Sequence, residues 1–172
     1  ITSDDVKKSM DATEAGALTA ISKPASPQSL DFVESAQLLV ETVKSMATVK
    51  VIRRVRRAAQ KPVRTIAEKA ATRERILAIA ASTGGPQALH RVLAGLPSEF
   101  PLPVLVVQHI CTGFTTGFVA WLQQSVSLNV KVAEDGEKLC AGTVYIGPET
   151  HHLGASEFRI QLIDRPQVGG FR

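Results

Sequence analysis

One run of residues carries most of the structural information in this 172-residue chain: Arg75-Ile76-Leu77-Ala78-Ile79-Ala80-Ala81-Ser82-Thr83-Gly84-Gly85-Pro86. Its apolar part has the length of a buried strand, and it ends in a small hydroxyl residue and two glycines. A proline then opens a helical pattern over residues 86–96, and its missing N–H costs nothing in a first helical turn. The run therefore predicts a strand, a tight turn and a helix, with Ser82 at the carboxyl end of the strand.

A second apolar run follows at residues 103–108, and His109 comes directly after it. Ligands of open α/β sheets bind at the carboxyl ends of the strands, so we expect Ser82 and His109 to face one crevice. A hydroxyl and an imidazole in one crevice are typical of a nucleophile and its base. Main-chain N–H groups at the start of the helix suit an anion or a developing oxyanion.

The composition indicates a globular protein. Apolar residues make up 44% of the chain and charged residues 21%, and no apolar run is long enough to cross a bilayer. The first residues lack the basic region and apolar core of a secretion signal. Cys111 and Cys140 make no disulfide framework, and no CxxC pair indicates zinc. We therefore expect a cytoplasmic protein with no membrane insertion and no metal in its site.

Charge divides the chain into three segments. Residues 1–45 carry a net charge of −3, residues 46–76 a net charge of +8 and residues 77–172 a net charge of −1. A basic segment can bind an acidic surface or serve as a solvated linker. No aromatic residue interrupts this one, so nothing supports base stacking. We predict a basic interdomain linker over residues 46–75 and no nucleic-acid partner.

The first segment predicts a helix that stops near Gly16, a short strand at residues 18–21 and a second helix from Ser29 to Met46. The apolar residues of the second helix fall on one face: Phe32, Val33, Ala36, Leu39, Val40 and Val43. This face must cover a sheet, yet the segment supplies a single strand. Residues 1–45 are therefore expected to be the end of a larger α/β domain.

Two motifs of this segment, Ala15-Gly16-Ala17 and Lys23-Pro24, resemble the closing third of a response-regulator receiver domain. That family has a flavodoxin-like fold and works in two-component signal transduction. The resemblance implies that Lys23 contacts the phosphoryl group on an acceptor aspartate and that the Lys23–Pro24 peptide bond is cis. Thr2 would be the switch hydroxyl. Mg²⁺ is implied for the receiver alone, and its acidic ligands would precede residue 1.

From Ile76 onward the chain resembles the catalytic domain of the chemotaxis protein-glutamate methylesterases. The motifs occur in family order: Ser82-Thr83-Gly84-Gly85-Pro86, Val106-Val107-Gln108-His109, Glu134-Asp135-Gly136-Glu137-Lys138-Leu139, Gly142-Thr143-Val144-Tyr145-Ile146-Gly147-Pro148 and His151-His152-Leu153. The resemblance implies a doubly wound, mainly parallel α/β sheet over residues 76–172. It also implies hydrolysis of glutamate methyl esters and deamidation of glutamines on chemoreceptors, with the chemotaxis histidine kinase as a second partner.

The same resemblance assigns roles to the residues of the turn. Ser82 would be the nucleophile and His109 the general base, while Thr83 would help to hold the histidine or the substrate. Gly84 and Gly85 would let the substrate approach the oxyanion region closely. Water completes the reaction in that family, so no cofactor is implied for catalysis.

The third member of the family's triad is an aspartate that would lie beyond residue 172. Asp135 belongs to a different family motif and Asp164 ends a strand, so neither matches the catalytic position. Losing the orienting carboxylate costs about 10⁴-fold in turnover in serine proteases. We therefore expect a truncated catalytic domain, and the activity of these 172 residues by themselves is in question.

Other interpretations stay open. A serine in a glycine-rich turn can simply cap a helix, and a histidine at a strand end can be a satisfied core residue. A phosphate could bind the Gly-Gly turn, although the dinucleotide fingerprint GxGxxG is absent. A non-catalytic module that binds receptor or kinase is the main alternative function. His90 is expected to be a surface or packing residue, and His152 a loop residue near the rim of the crevice.

Overall fold

The computed structural model describes residues 5, 8–9, 11–12, 15–21, 23–48, 75–82, 84–110 and 113–166. The chain divides into two compact units, one of residues 1–22 with 74–172 and the other of residues 23–73. Thr2, Thr83, Cys111 and nearly all of the predicted linker lie outside the described residues. None of the described helices is long and apolar enough to cross a bilayer.

Helix α1, Phe32–Ala47, agrees with the helix predicted from Ser29 to Met46. It buries no residue, and three members of its predicted apolar face, Val33, Val40 and Val43, are exposed. Its first turns are tied to the preceding loop, because Ser35 Oγ accepts a hydrogen bond from the main-chain N–H of Ala25. The helix is formed, but its apolar face is only partly covered, since none of its residues is fully buried.

Two predictions for the first segment are wrong. Residues 18–21 are irregular and form no strand, because a run this short gains nothing without a neighbouring strand to pair with. No peptide bond in the described residues is cis, so the bond between Lys23 and Pro24 is trans. The helix stop at Gly16 is confirmed, since Gly16 has a φ of +115° and Ala17 donates its N–H to the carbonyl of Ala12.

The unit that contains residues 74–172 is built on a four-stranded parallel sheet. Its elements follow in the order β1 Leu77–Ala81, α2 Gly85–Ala94, β2 Val104–Gln108, α3 Thr115–Gln123, β3 Asn129–Val132 and β4 Thr143–Ile146. The strands lie side by side in the order β1-β2-β4-β3, and every pairing is parallel. An antiparallel hairpin completes the unit, with strands β5 His152–Ser156 and β6 Arg159–Ile163. The predicted α/β, mainly parallel architecture is confirmed.

The two faces of the sheet bury different partners because side chains alternate along a strand. On one face, Val104, Val106, Val144 and Ile146 pack with residues of α2 and α3, namely Leu89, Leu93, Phe118 and Leu122. On the other face, Leu105 and Tyr145 pack with Ala133, Leu139 and Ile160 of the hairpin side. The central strands β2 and β4 are therefore buried on both faces, as their nearly continuous apolar sequences predict.

Candidate active site

The crevice at the carboxyl ends of β1 and β2 contains the residues that the sequence singled out. Ala81 and Gln108 are paired in the register of the two strands, and each is the last residue of its strand. Ser82 and His109 are the next residues along the chain, and both are exposed. The main-chain N–H of His109 donates to the carbonyl of Ala81 at 3.1 Å, which extends the ladder by one bond. The fold thus brings Ser82 and His109 to adjacent strand ends.

A tight turn carries the chain from β1 into α2. The carbonyl of Ser82 accepts a hydrogen bond from the N–H of Gly85 at 2.7 Å. Gly84 has φ +73° and ψ 0°, the values of the third residue of a type II turn, where glycine is favoured because φ is positive. A side chain on Gly84 would meet no atom within 4 Å, so this side of the turn is open. The turn therefore leaves Ser82 exposed to solvent close to the first residues of α2.

Gly85 is required for a different reason. It is buried, and a methyl group at this position would overlap Oε1 of Gln108 and lie 2.8 Å from its Cδ. The N–H of Gly85 is already used by Ser82, so its contribution to the site is the space that its missing side chain leaves. Pro86 follows in the first turn of α2, as the sequence predicts.

Gln108 was not singled out from the sequence, although it is central to the geometry. The residue is 9% exposed, and Nε2 donates to the carbonyl of Ser82 at 3.0 Å and to the carbonyl of His109 at 2.8 Å. One side chain therefore bridges the main-chain carbonyl groups of both candidate residues through hydrogen bonds. A signal was present in the sequence, since a glutamine ends an otherwise apolar strand, and a buried amide needs partners.

Glu149 is a second residue near the site whose contacts were not expected from the sequence. It lies in the loop after β4, and its carboxylate accepts hydrogen bonds from the N–H of Gly113 at 2.7 Å, the N–H of Thr115 at 2.9 Å and the hydroxyl of Thr115 at 2.6 Å. Burial of the carboxyl acts to raise its pKa, but these hydrogen bonds outweigh it, and the pKa of Glu149 is lowered. Nothing in the local sequence identified this role.

The carboxylate of Glu149 takes the place of a cap for α3. Phe114 stands at the N-cap position of this helix and supplies no side-chain hydrogen bond. A carboxylate at a helix start satisfies free N–H groups and complements the positive end of the helix dipole. Residues 113–115 lie only a few positions after His109, the candidate base. Glu149 therefore fixes the position of the chain shortly after His109.

The remaining candidate residues lie in other environments. His90 of α2 packs at a tilt against Trp121, with ring centroids 5.0 Å apart, and contacts Ser125 Oγ, so it is a packing residue as expected. His152 is the first residue of β5 and not the loop residue that was expected, and its Nε2 lies 3.1 Å from the carbonyl of Pro166. His151 Nδ1 lies 2.8 Å from the hydroxyl of Thr150. Asp135 accepts the N–H of Leu162 at 2.8 Å and so holds the hairpin. Within the described ranges, no three His, Cys, Asp or Glu side chains cluster as metal ligands do.

Comparison of the sequence with protein families finds a match over most of the second half of the chain. The family model described as CheB methylesterase matches residues 77–171. Relatives from Myxococcus xanthus and Geobacter metallireducens, both named protein-glutamate methylesterase/protein-glutamine glutaminase 4, are 47% and 40% identical over 98% of this chain. The chain spans about half the length of these curated relatives, 49% and 50% respectively.

Comparison of the structures agrees with this match. The crystal structure of the Thermotoga maritima CheB methylesterase catalytic domain aligns with a TM-score of 0.55 and 38% sequence identity. The alignment covers 59% of this chain and 56% of that chain. The parallel sheet with its helices is therefore shared with a solved domain.

Proposed function

Because the chain belongs to the CheB methylesterase family, we propose that it carries the nucleophile and the base of a protein-glutamate methylesterase of bacterial chemotaxis. The observation that carries the proposal is the position of Ser82 and His109 at the ends of two paired strands, joined through Gln108. The substrates are methyl esters of glutamate side chains on chemoreceptors. The same chemistry deamidates particular glutamine side chains.

The proposed reaction has two steps. Ser82 Oγ attacks the ester carbonyl while His109 takes its proton, and the collapse of the tetrahedral intermediate expels methanol, which receives that proton. Water, activated by His109, then hydrolyses the acyl-enzyme and releases the glutamate side chain. For a glutamine substrate the leaving group is ammonia. Both steps balance without a metal or an organic cofactor.

The oxyanion region is proposed to lie over the open side of the turn, near Gly84. The N–H of Gly85 is engaged by the carbonyl of Ser82, so the oxyanion donors belong to neighbouring groups. The carboxylate that orients His109 is proposed to come from an aspartate outside the present 172 residues. Asp135 is held by the main chain of Leu162, which agrees with its exclusion from that role.

Residues 1–45 are proposed to belong to a receiver domain that regulates the esterase through Lys23 and Thr2, with Mg²⁺ serving that domain alone. The exposed Val33 and Val43 of α1 support this, because they offer an apolar face that a larger domain would cover. The chemotaxis histidine kinase is the proposed phosphoryl donor. A cytoplasmic location completes the proposal.

Release of methanol from methylated chemoreceptor by the full-length protein tests the esterase proposal. The Ser82→Ala variant should fold, because the change leaves no cavity, and should lose several orders of magnitude in rate. His109→Gln should lose a similar amount, and the double variant should lose no more, since the pair acts as a unit. The exposed Ser98, changed to alanine, is the matched control. Methanol release at the parental rate by Ser82→Ala would contradict the proposed role of Ser82, whereas no release by the parent protein would leave a non-catalytic regulatory module.

A further inference from the structure

The two carbonyl groups that Gln108 binds belong to the two residues of the proposed catalytic pair. Nε2 lies 3.0 Å from the carbonyl oxygen of Ser82 and 2.8 Å from that of His109. Both of these residues lie just beyond the ends of their strands, where the last ladder bond joins His109 N–H to Ala81. Past that bond, the Gln108 side chain links the two main chains, because it binds a carbonyl group on each.

The orientation of this amide is fixed by its surroundings. Rotating it by 180° would point Oε1 at two carbonyl oxygens, which repel it. Its opposite side lies against Gly85, where no side chain fits. Oε1 is buried and has no hydrogen-bond partner among the described residues. Leaving a buried acceptor unpaired has a free-energy cost, so the packing holds the amide in an arrangement that serves the two carbonyls rather than its own oxygen.

We propose that Gln108 is a positioning residue, which sets the separation of Ser82 and His109 through their main-chain carbonyls without touching the substrate. This inference rests on the proposed function. A displacement of about 1 Å between reacting groups can cost about 10²-fold in rate. Removing the Nε2 donor releases both strand ends at once, so turnover should fall while the binding of the chemoreceptor is preserved.

The alternative is that Gln108 only stabilises the core. A core role would lower the melting temperature and leave the rate of folded enzyme unchanged. The chain offers a matched control for this distinction in Gln123, whose Nε2 donates to the carbonyl of Leu128 at 3.1 Å and whose Oε1 accepts the N–H of Val130 at 2.8 Å. Gln123 thus also binds main-chain groups, but it ties α3 to β3 instead of to the crevice.

The experiment compares Gln108→Met and Gln123→Met in the full-length protein, since methionine has a similar length but no amide donor. For Gln108→Met, kcat for methanol release from methylated receptor should fall about 10²-fold, with KM within threefold of the parent. The rate at which a small fluorophosphonate labels Ser82 should fall by a similar factor. For Gln123→Met, both rates should stay within threefold, although the melting temperature falls. Unchanged rates for Gln108→Met would overturn the proposal.

A second variant covers the case in which Gln108→Met fails to fold. Gln108→Asn keeps the amide but is one methylene shorter, so it cannot reach both carbonyls, and its kcat should also fall while KM is preserved. A parental kcat for folded Gln108→Asn would overturn the proposal equally. The Ser82→Ala variant distinguishes a failure of the proposed function from a failure of the positioning role of Gln108. If it stays active, the proposed function fails, whereas loss of activity in Ser82→Ala with parental rates in the Gln108 variants refutes the positioning role alone.

Discussion

Gly85 and Gln108 share one space, because a methyl group on Gly85 would overlap the side-chain Oε1 of Gln108. The two residues lie on different elements, the first turn of α2 and the end of β2. The Gln108 amide that bridges Ser82 and His109 fits in place only because the turn after Ser82 has a glycine at position 85. A substitution at either position should therefore alter the packing of the other residue.

This relationship predicts a strong coupling between two substitutions. Gly85→Ala should destabilise the protein by about 1–3 kcal/mol, the usual cost of overpacking, because Gln108 must move. In a Gln108→Ala background the overlap with the Gln108 side chain is gone and the contact with Ala81 Cβ at 3.0 Å remains, so a large part of that cost should disappear. Urea denaturation of the parent, both single variants and the double variant measures the coupling free energy.

The control for this cycle is Gly95→Ala at the other end of α2. Gly95 has a φ of −83°, and its nearest neighbours, the carbonyl oxygens of Arg91 and Val92, lie 3.4 Å from the added methyl. This change should alter the stability by less than about 1 kcal/mol. Additive free energies for Gly85→Ala and Gln108→Ala would show that the two side chains do not compete for this space.

The hydrogen bonds of Glu149 should stabilise the folded protein in a pH-dependent way. Glu149→Gln places an amide donor against the N–H groups at the start of α3, and we expect a loss of about 0.5–2 kcal/mol at pH 7, as for a lost helix cap. The folded-state pKa of Glu149 is lowered, so its contribution is complete above the ordinary glutamate pKa. The contribution is then lost as the pH falls through the folded value.

Urea denaturation at a series of pH values from 7 downward tests the Glu149 prediction. The difference between the parent and Glu149→Gln should shrink as the solution is acidified below the ordinary glutamate range. Glu99→Gln is the control, since Glu99 is exposed and its removal should change stability by less than about 0.5 kcal/mol. A difference that stays constant down to strongly acidic pH would refute the role of the ionised carboxylate.

Lys23 carries the prediction for the receiver domain. In the full-length protein, Lys23→Ala should weaken activation by acetyl phosphate and leave the unphosphorylated rate nearly intact, because the lysine is proposed to act on a phosphoryl group alone. Lys44→Ala in the last turn of α1 is the control and should keep full activation. A large fall in the basal rate of Lys23→Ala would make this lysine a scaffold residue rather than a signal relay.

The basic segment predicts an effect on the encounter with the receptor. Changing Arg53, Arg54, Arg56 and Arg57 to glutamate should raise the apparent KM for methylated receptor, if the positive charge attracts an acidic substrate surface. Hydrolysis of a small neutral ester should not change. The effect should fade with added salt, since the Debye length is about 8 Å at physiological ionic strength. Identical receptor kinetics at low salt would show that the charges only keep a linker solvated.

The sequence predicted the elements whose signals are local. The apolar runs that became β1 and β2 lie next to glycine and proline signals, and Ser82 and His109 follow directly from the ends of those strands. The roles of Gln108 and Glu149 depend on contacts between distant residues, from Gln108 to Ser82 and from Glu149 to Thr115. No spacing rule within one element reports such pairs. The strand expected at residues 18–21 was wrong because propensity without a neighbouring strand does not make a sheet.

The hydrogen bonds from residues 113 and 115 to Glu149 also bear on how the chain reaches its native state. Synthesis proceeds from the amino terminus, so the start of α3 is synthesised more than thirty residues before the carboxylate that completes its first turn. Until then, the free N–H groups at the start of α3 have only water as a partner. A helix of nine residues is marginally stable in water. Native α3 should therefore form late, together with the docking of β4, and a nascent chain that ends before residue 149 should expose the apolar side of α3 to chaperones.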